Sequence, residues 1–252
     1  MTESLETAVP AVIGHRGAAG HAPENTVASI SRAADLGVRW VEFDIKLSAD
    51  GEVVVFHDDK LNRTTNGRGA VAKHALIDLR QLDAGSWFKP RFAGERVPTL
   101  SEMLEVLAAR GLGANIEIKP SPGRYAETGA AIARLLKAEW PAALTPPVIS
   151  SFMPTSLAAV GEYAPEYERA LLVFALPGDW QARAHRLGCA ALHCSQEYLT
   201  ERQAKAITAA GFVLRCYTVN HRLTARKLYR WGASSLISDY PDRLLSIELA
   251  TA

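Results

Sequence analysis

Short apolar runs alternate with helix-periodic segments along most of this chain, and that rhythm admits few folds. The runs read as strands over Ala11–Arg16, Trp40–Leu47, Ala114–Lys119, Val148–Phe152, Ala170–Ala175, Ala191–Cys194, Val213–Val219 and Ser235–Ser238. Helical patterns separate them, from Thr26–Leu36 through Arg124–Glu139 to Leu223–Trp231, with a last helix expected from Asp242 onward. Asn25 or Thr26 would cap the first helix and Gly37 would end it. Asp50-Gly51 reads as a hairpin turn that folds Val53–His57 back against the second strand. Counting that hairpin as part of the second unit gives the strands of an α/β (β/α)8 TIM barrel, although a doubly wound sheet shows similar periodicity. Residues 59–98 break the rhythm with Asn66-Gly67, Asp83-Ala84-Gly85 and Lys89-Pro90, and are expected to form a small inserted element after the second strand unit. No internal repeat or linker divides the chain, so residues 1–252 are expected to form a single domain.

Charge narrows the partners. With 28 basic and 27 acidic side chains the net charge is +1, which supplies no global field for nucleic acid or an anionic membrane. The start, Met1 to Thr7, carries two acids and no Lys or Arg, unlike a signal peptide, and no run is long enough to cross a bilayer. Cys189, Cys194 and Cys216 are too few for a disulfide framework and match no zinc spacing, so they read as reduced, buried thiols. A cytoplasmic protein that neither enters a membrane nor binds nucleic acid is expected, as monomer or homodimer.

The chemistry concentrates where strands end. In a barrel of parallel strands catalytic groups gather at the C-terminal rim. His15 and Arg16 fall at the first such end, Glu42 and Asp44 toward the second, Glu117 and Lys119 at the next, then Phe152, Tyr217 with Asn220, and Asp239. Glu42 and Asp44 lie two apart and share a strand face, as do Glu117 and Lys119. Glu42, Asp44 and Glu117 would supply hard oxygen ligands suited to Mg²⁺, Ca²⁺ or Mn²⁺; the plainer alternative is ion pairing with Arg16, Arg39 or Lys119. His15 and His57 suit proton transfer, one as acid and one as base, against a plainer role as strand-end structural groups. Arg16 and Lys119 suit a phosphodiester anion. Pro23-Glu24-Asn25-Thr26 reads as a helix start for Asn25 and Thr26, with Glu24 open. Phe152, Tyr217, Trp87 and Phe88 could wall the pockets for the two alcohol halves, and His193, on a strand, could reach the rim.

The same residues carry a resemblance. His15-Arg16-Gly17, Pro23-Glu24-Asn25-Thr26, Glu42-x-Asp44, Asp50-Gly51, His57-Asp58, Arg63-Thr64-Thr65, Asn115-Ile116-Glu117-Ile118-Lys119, Ser150-Ser151-Phe152, Tyr217-Thr218-Val219-Asn220 and Ser238-Asp239-Tyr240-Pro241 occur in order. In this the chain resembles the glycerophosphodiester phosphodiesterase family, and within it the compact cytosolic bacterial enzymes associated with glycerol-3-phosphate uptake. The resemblance implies a TIM barrel that hydrolyses small glycerophosphodiesters, such as glycerophosphocholine or glycerophosphoethanolamine, to sn-glycerol 3-phosphate and an alcohol. It implies His15 and His57 as the catalytic pair, and one divalent cation, Mg²⁺ or Ca²⁺ with Mn²⁺ as a third choice, on Glu42, Asp44 and Glu117. It implies attack by the glyceryl 2-hydroxyl through a cyclic phosphate, with direct attack by water as the alternative. Tyr217 stands where relatives commonly carry Trp, although Tyr also occurs among the cytosolic enzymes. Three rivals stay open: cleavage of lysophospholipids or a phospholipase D reaction on the same barrel, a non-hydrolytic barrel enzyme, and a binding protein without catalysis.

Overall fold

A computed structural model describes residues 9–247. Nine strands occur among them: β1 (Val12–Gly14), β2 (Trp40–Leu47), β3 (Val53–Val55), β4 (Gly113–Ile118), β5 (Val148–Ser151), β6 (Glu168–Val173), β7 (Ala191–Ser195), β8 (Val213–Tyr217) and β9 (Ser235–Ser238). Eight pair in parallel in the order β1-β9-β8-β7-β6-β5-β4-β2, and β1 also pairs with β2, which closes the barrel. The doubly wound alternative is thereby removed, since an open sheet leaves two edges. β3 is the exception to parallel pairing. It returns antiparallel on β2, Ile45 opposite Val55, after the Asp50-Gly51 turn.

Helices α1 (Val27–Asp35), α2 (Leu76–Leu79), α3 (Leu100–Arg110), α4 (Tyr125–Glu139), α5 (Pro154–Tyr163), α6 (Trp180–Arg186), α7 (Glu201–Ala209) and α8 (Arg222–Arg230) lie in the connections. Their starts follow local chemistry. Thr26 caps α1 by accepting the Ser29 N–H, and Thr99 with Glu102 forms a reciprocal capping box on α3. The expected helix from Asp242 does not form over the described part. A single 3-10 turn at Pro241–Arg243 is followed by turns to Ile247, and the rest of that segment lies outside the described residues.

An apolar cluster of Ile13, Trp40, Val148, Ala170, Ala191 and Ile237 takes one residue from each of six barrel strands, so it plugs the barrel axis. Gly113 permits this plug: a Cβ there would come within 2.2 Å of the Trp40 ring. Side-chain alternation then dictates what lies above the plug. Trp40 points inward, so Glu42, Asp44 and Lys46 of β2 also point inward, and all three are buried. His193, two residues beyond Ala191, is likewise fully buried against Arg215 and does not reach the rim.

The connection from β3 to α3 carries the inserted element. It has its own small core of Val54, Phe56, Leu61, Val71, Leu79 and Val97. Asp83 organises its far loop by accepting the N–H groups of Gly85, Ser86 and Gly94. Trp87 and Phe88 pack edge to face on one another, and Phe88 on Phe92, within the element. They belong to its packing rather than to the walls of the site described next. Among the described residues no helix is long and apolar enough to cross a membrane.

Candidate active site

The loop after β1 begins the site. Arg16 adopts φ +48°, and Gly17 follows at φ +88°, where a Cβ would meet the Ser29 backbone at 2.5 Å. This tight turn aims the Arg16 N–H at Glu42 Oε2, 2.9 Å away, and brings Arg16 Nε within 3.3 Å of Asp44 Oδ2. Asn25, also left-handed at φ +58°, donates to Asp44 Oδ2 at 2.8 Å and accepts the Asp44 N–H at 3.1 Å. The helix-start role falls to Thr26 alone. Asn25 holds a carboxylate of the site, a role that tetrapeptide chemistry does not reveal.

Glu42, Asp44 and Glu117 converge. Parallel register sets Asp44 beside Glu117, and each acid offers an oxygen within 4.8 Å of the other two. All three are buried. Burial, then repulsion from Asp44 and Glu117, pushes the Glu42 carboxyl well above its ordinary range. Burial and Asp44 likewise lift Glu117 to about 7 against the pull of Lys119. Burial opposes ionisation of Asp44 too, but Arg16, His57, Lys119 and the Asn25 hydrogen bond together bring it down to about 2. Glu42 Oε1 is buried without a hydrogen-bond partner. Crowded buried carboxylates with an orphaned oxygen suit a hard divalent cation, so these residues fit the expected metal.

Cationic and imidazole groups ring the acids. Lys119 Nζ lies 2.7 Å from Glu117 Oε1 and 3.8 Å from Asp44 Oδ1. His15 Nδ1 pairs with Asp239 Oδ1 at 2.6 Å, while its Nε2 faces Glu42 Oε2 at 3.9 Å. Asn220 holds Asp239 from both sides, donating to Oδ2 at 2.7 Å and accepting the Asp239 N–H at 2.9 Å. His57 Nδ1 pairs with Asp58 Oδ1 at 2.6 Å, and burial lowers the His57 pKa despite the attraction of Asp44. Each histidine thus has a carboxylate on Nδ1, which leaves Nε2 for the reaction centre.

On the other side of Lys119 opens a groove of about 860 Å³ lined by His57, Lys119, Tyr125, Phe152, Met153 and Phe174 among others. Phe152 stacks on Phe174 at 4.6 Å between ring centres, Tyr217 meets both edge to face, and Lys119 Nζ sits 5.2 Å over the Phe152 ring. The Tyr217 hydroxyl donates to the Val173 carbonyl at 2.9 Å, which fixes its ring as a wall of the site.

His15, Arg16, Glu42, Asp44, His57, Glu117, Lys119, Phe152 and Tyr217 stand at one mouth, whereas Trp87, Phe88 and His193 do not. The expectations lacked the partners. Asp58 and Asp239 sit in noticed motifs, but their pairing with the histidines depends on folding. Lys46 shares the inward face of β2 with Asp44, a placement that strand parity alone gives. It is fully buried and donates to the Asp58 carbonyl and to Asp59, anchoring the chain just after His57.

Comparison with known proteins bears on this arrangement. Residues 15–243 match the family model described as the Glycerophosphoryl diester phosphodiesterase family. A glycerophosphodiester phosphodiesterase of Caldanaerobacter subterraneus is 34% identical over 237 residues, covering 94% of this chain and 96% of the relative. One from Bacillus subtilis is 34% identical over 247 residues, covering 91% and 83%. The solved structure of an Oleispira antarctica phosphodiesterase in complex with the product sn-glycerol-3-phosphate superposes with a TM-score of 0.92 at 44% identity, covering 94% of this chain and 96% of that one.

Proposed function

Because the chain belongs to the glycerophosphoryl diester phosphodiesterase family, we propose that this phosphodiesterase hydrolyses small deacylated glycerophosphodiesters, such as glycerophosphocholine and glycerophosphoethanolamine, with the help of one divalent cation. The products are sn-glycerol 3-phosphate and the free alcohol. The observation that carries this reading is the buried trio Glu42, Asp44 and Glu117, with oxygens within 4.8 Å of one another, beside two carboxylate-paired histidines. The catalytic unit is residues 1–252 taken as one domain, with residues 59–98 as its insertion, working in the cytoplasm.

Glu42, Asp44 and Glu117 would hold the cation, Mg²⁺ or Ca²⁺ with Mn²⁺ as a third choice. Such an ion would supply charge neutralisation for the phosphate and acidify the attacking hydroxyl. Arg16 and Lys119 take the phosphate oxygens, one as a planar fork and one as a point charge. One histidine removes a proton from the attacking oxygen through Nε2, and the other delivers a proton to the departing alcohol. Burial lowers the His57 pKa and Asp58 occupies its Nδ1, so a free Nε2 suits His57 to the base role, with His15 as the acid of the pair. The attacking oxygen is the glyceryl 2-hydroxyl, giving a cyclic phosphate that water then opens. Phe152, Tyr217 and the groove beyond them receive a substituent of phosphorus.

Product analysis tests this directly. Glycerophosphocholine and glycerophosphoethanolamine should each yield sn-glycerol 3-phosphate with Mg²⁺ or Ca²⁺ and none with chelator. Faster cleavage of micellar lysophospholipids would overturn the substrate class. Normal turnover of a diester lacking the 2-hydroxyl would replace the cyclic route by direct attack of water.

A further inference from the structure

Arg63 stands at the root of the inserted element, outside every role given above. Its side chain is 44% exposed, yet its fork is fully engaged. Nε lies 2.7 Å from Asp58 Oδ2 and Nη2 2.8 Å from Asp58 Oδ1. Nη1 lies 2.7 Å from Glu24 Oε2, and Nη2 2.7 Å from Glu24 Oε1. A single exposed ion pair contributes little and leaves the side chain free to move. A guanidinium seated on both oxygens of two carboxylates is fixed in plane and in direction.

Both carboxylates are shared with the site. Asp58 Oδ1 also meets His57 Nδ1 at 2.6 Å. Glu24 Oε1 also accepts from Arg16 Nη1 at 2.5 Å. Arg63 is thus the junction of a chain that runs His57, Asp58, Arg63, Glu24, Arg16. We propose that Arg63 is a positioning residue for the phosphodiesterase reaction, setting His57 through Asp58 and Arg16 through Glu24 so that the root of the insertion assembles both groups as one unit. This rests on the reading that His57 moves a proton and Arg16 holds phosphate.

Two features separate this role from simple loop stability. Lys46 already holds the Asp58 carbonyl and the Asp59 carboxylate, so the backbone after His57 has an independent anchor. What Arg63 adds is a grip on both oxygens of the Asp58 carboxylate, which His57 meets at Oδ1 only. With that carboxylate turned toward the ring, His57 carries its proton on Nδ1 and offers an unprotonated Nε2. With Arg63 removed, the Asp58 carboxylate can turn to solvent, and Arg16 loses the brace on its own partner.

The test compares wild type with Arg63→Gln, Arg63→Lys and Arg63→Ala on glycerophosphocholine with Mg²⁺. Arg63→Gln should lower kcat about 10- to 100-fold, the range typical of groups that orient a reacting side chain, with KM changed less than about threefold. Arg63→Lys should recover part of the loss, since a point charge can serve one carboxylate but not both. Added guanidinium should restore Arg63→Ala in a saturable way. Nitrogen-15 spectra of the His57 ring should show the Nδ1–H tautomer in wild type and a mixture in Arg63→Gln. Wild-type kcat and an unchanged tautomer in Arg63→Gln would overturn the proposal. So would a loss that tracks the folded fraction, without rescue by guanidinium. Failure of the wild type itself to turn over the diester would reject the substrate reading, and the tautomer comparison would still decide the role of Arg63.

Discussion

The two sides of the barrel mouth are built by opposite means. On the side of β1, β2 and β4, polar and charged groups hold one another in fixed pairs: Asn25 on Asp44, Arg63 between Glu24 and Asp58, and Asp239 on His15. On the side of β5, β6 and β8, the surface is soft. Phe152, Phe174 and Tyr217 meet ring to ring, and Phe174 is 63% exposed. Fixed charges in a buried setting are strong, directional and intolerant of displacement. Aromatic faces attract broadly and tolerate variation in what they touch. Under the proposed function chemistry belongs to the first side and choice of alcohol to the second, so substitutions on the two sides should fall on different kinetic constants.

The largest expected effect is loss of the cation from the charged side. Rigorous chelation should abolish turnover, and Mg²⁺, Ca²⁺ or Mn²⁺ should restore it. Glu42→Gln should weaken metal binding, measured by calorimetry, while the circular dichroism spectrum stays that of wild type. Full turnover by metal-free protein would remove the charged side from the chemistry and collapse the comparison.

Next come the histidines. His15→Ala and His57→Ala should each lower kcat by roughly 100-fold or more, as expected for a lost general acid or base, while KM and Tm move far less. The acid limb of the kcat profile should fall below the ordinary histidine value of 6.5, because burial depresses His57 and a base must be unprotonated. Wild-type kcat in both variants would reduce the two imidazoles to structural groups.

How much of this could be read from the chain differs between the two sides in the same way. β2 and β9 appear at their expected bounds, because apolar alternation ends at a clear turn signal in each. β1 and β5 stop short of His15 and Phe152, since rim residues leave the ladder to face the site. The three acids were legible because parity along β2 and β4 sets their faces without any tertiary information. His15 with Asp239 was not, because 224 residues separate them and only pairing of β9 with β1 joins their strand ends. Arg63 was hidden for the same reason: its two partners lie in separate loops. The exposed Phe174 is not legible in the sequence, because one aromatic at a strand end reads as ordinary packing. The tail beyond Asp242 follows local helix patterning in the sequence, yet Pro241 and the packing of Leu244 and Ile247 on the barrel's outer core support only turns over the described part.

Electrostatic strain on the charged side should also appear in stability. Glu117 has a folded pKa raised from 4.5 to about 7, so its contribution to folding is in place while it is protonated and is lost as pH rises through about 7. Metal-free protein should therefore lose Tm between pH 5 and pH 8 on this account, and Mg²⁺ should raise Tm more at pH 8 than at pH 5. Thermal unfolding at the two pH values, with and without the ion, measures it. Equal gains at both would mean that the trio is not relieved by the cation.

The smallest effect belongs to the soft side. Phe174 caps the groove and stacks on Phe152, but it makes no polar contact with the acids or the histidines. An aromatic contact of this kind contributes about 0.5–1.5 kcal/mol, so Phe174→Ala should raise KM by roughly 2- to 10-fold for substrates that reach the groove. The kcat should stay close to wild type, because no fixed charge moves. Comparing glycerophosphodiesters with small and bulky alcohols sharpens the point. If the groove takes the alcohol, the KM penalty should grow with the size of the alcohol and nearly vanish for the smallest. A uniform fall in kcat across the series would instead mean that the aromatic side helps to place the reacting atoms. The division of labour between the two sides would then have to be abandoned.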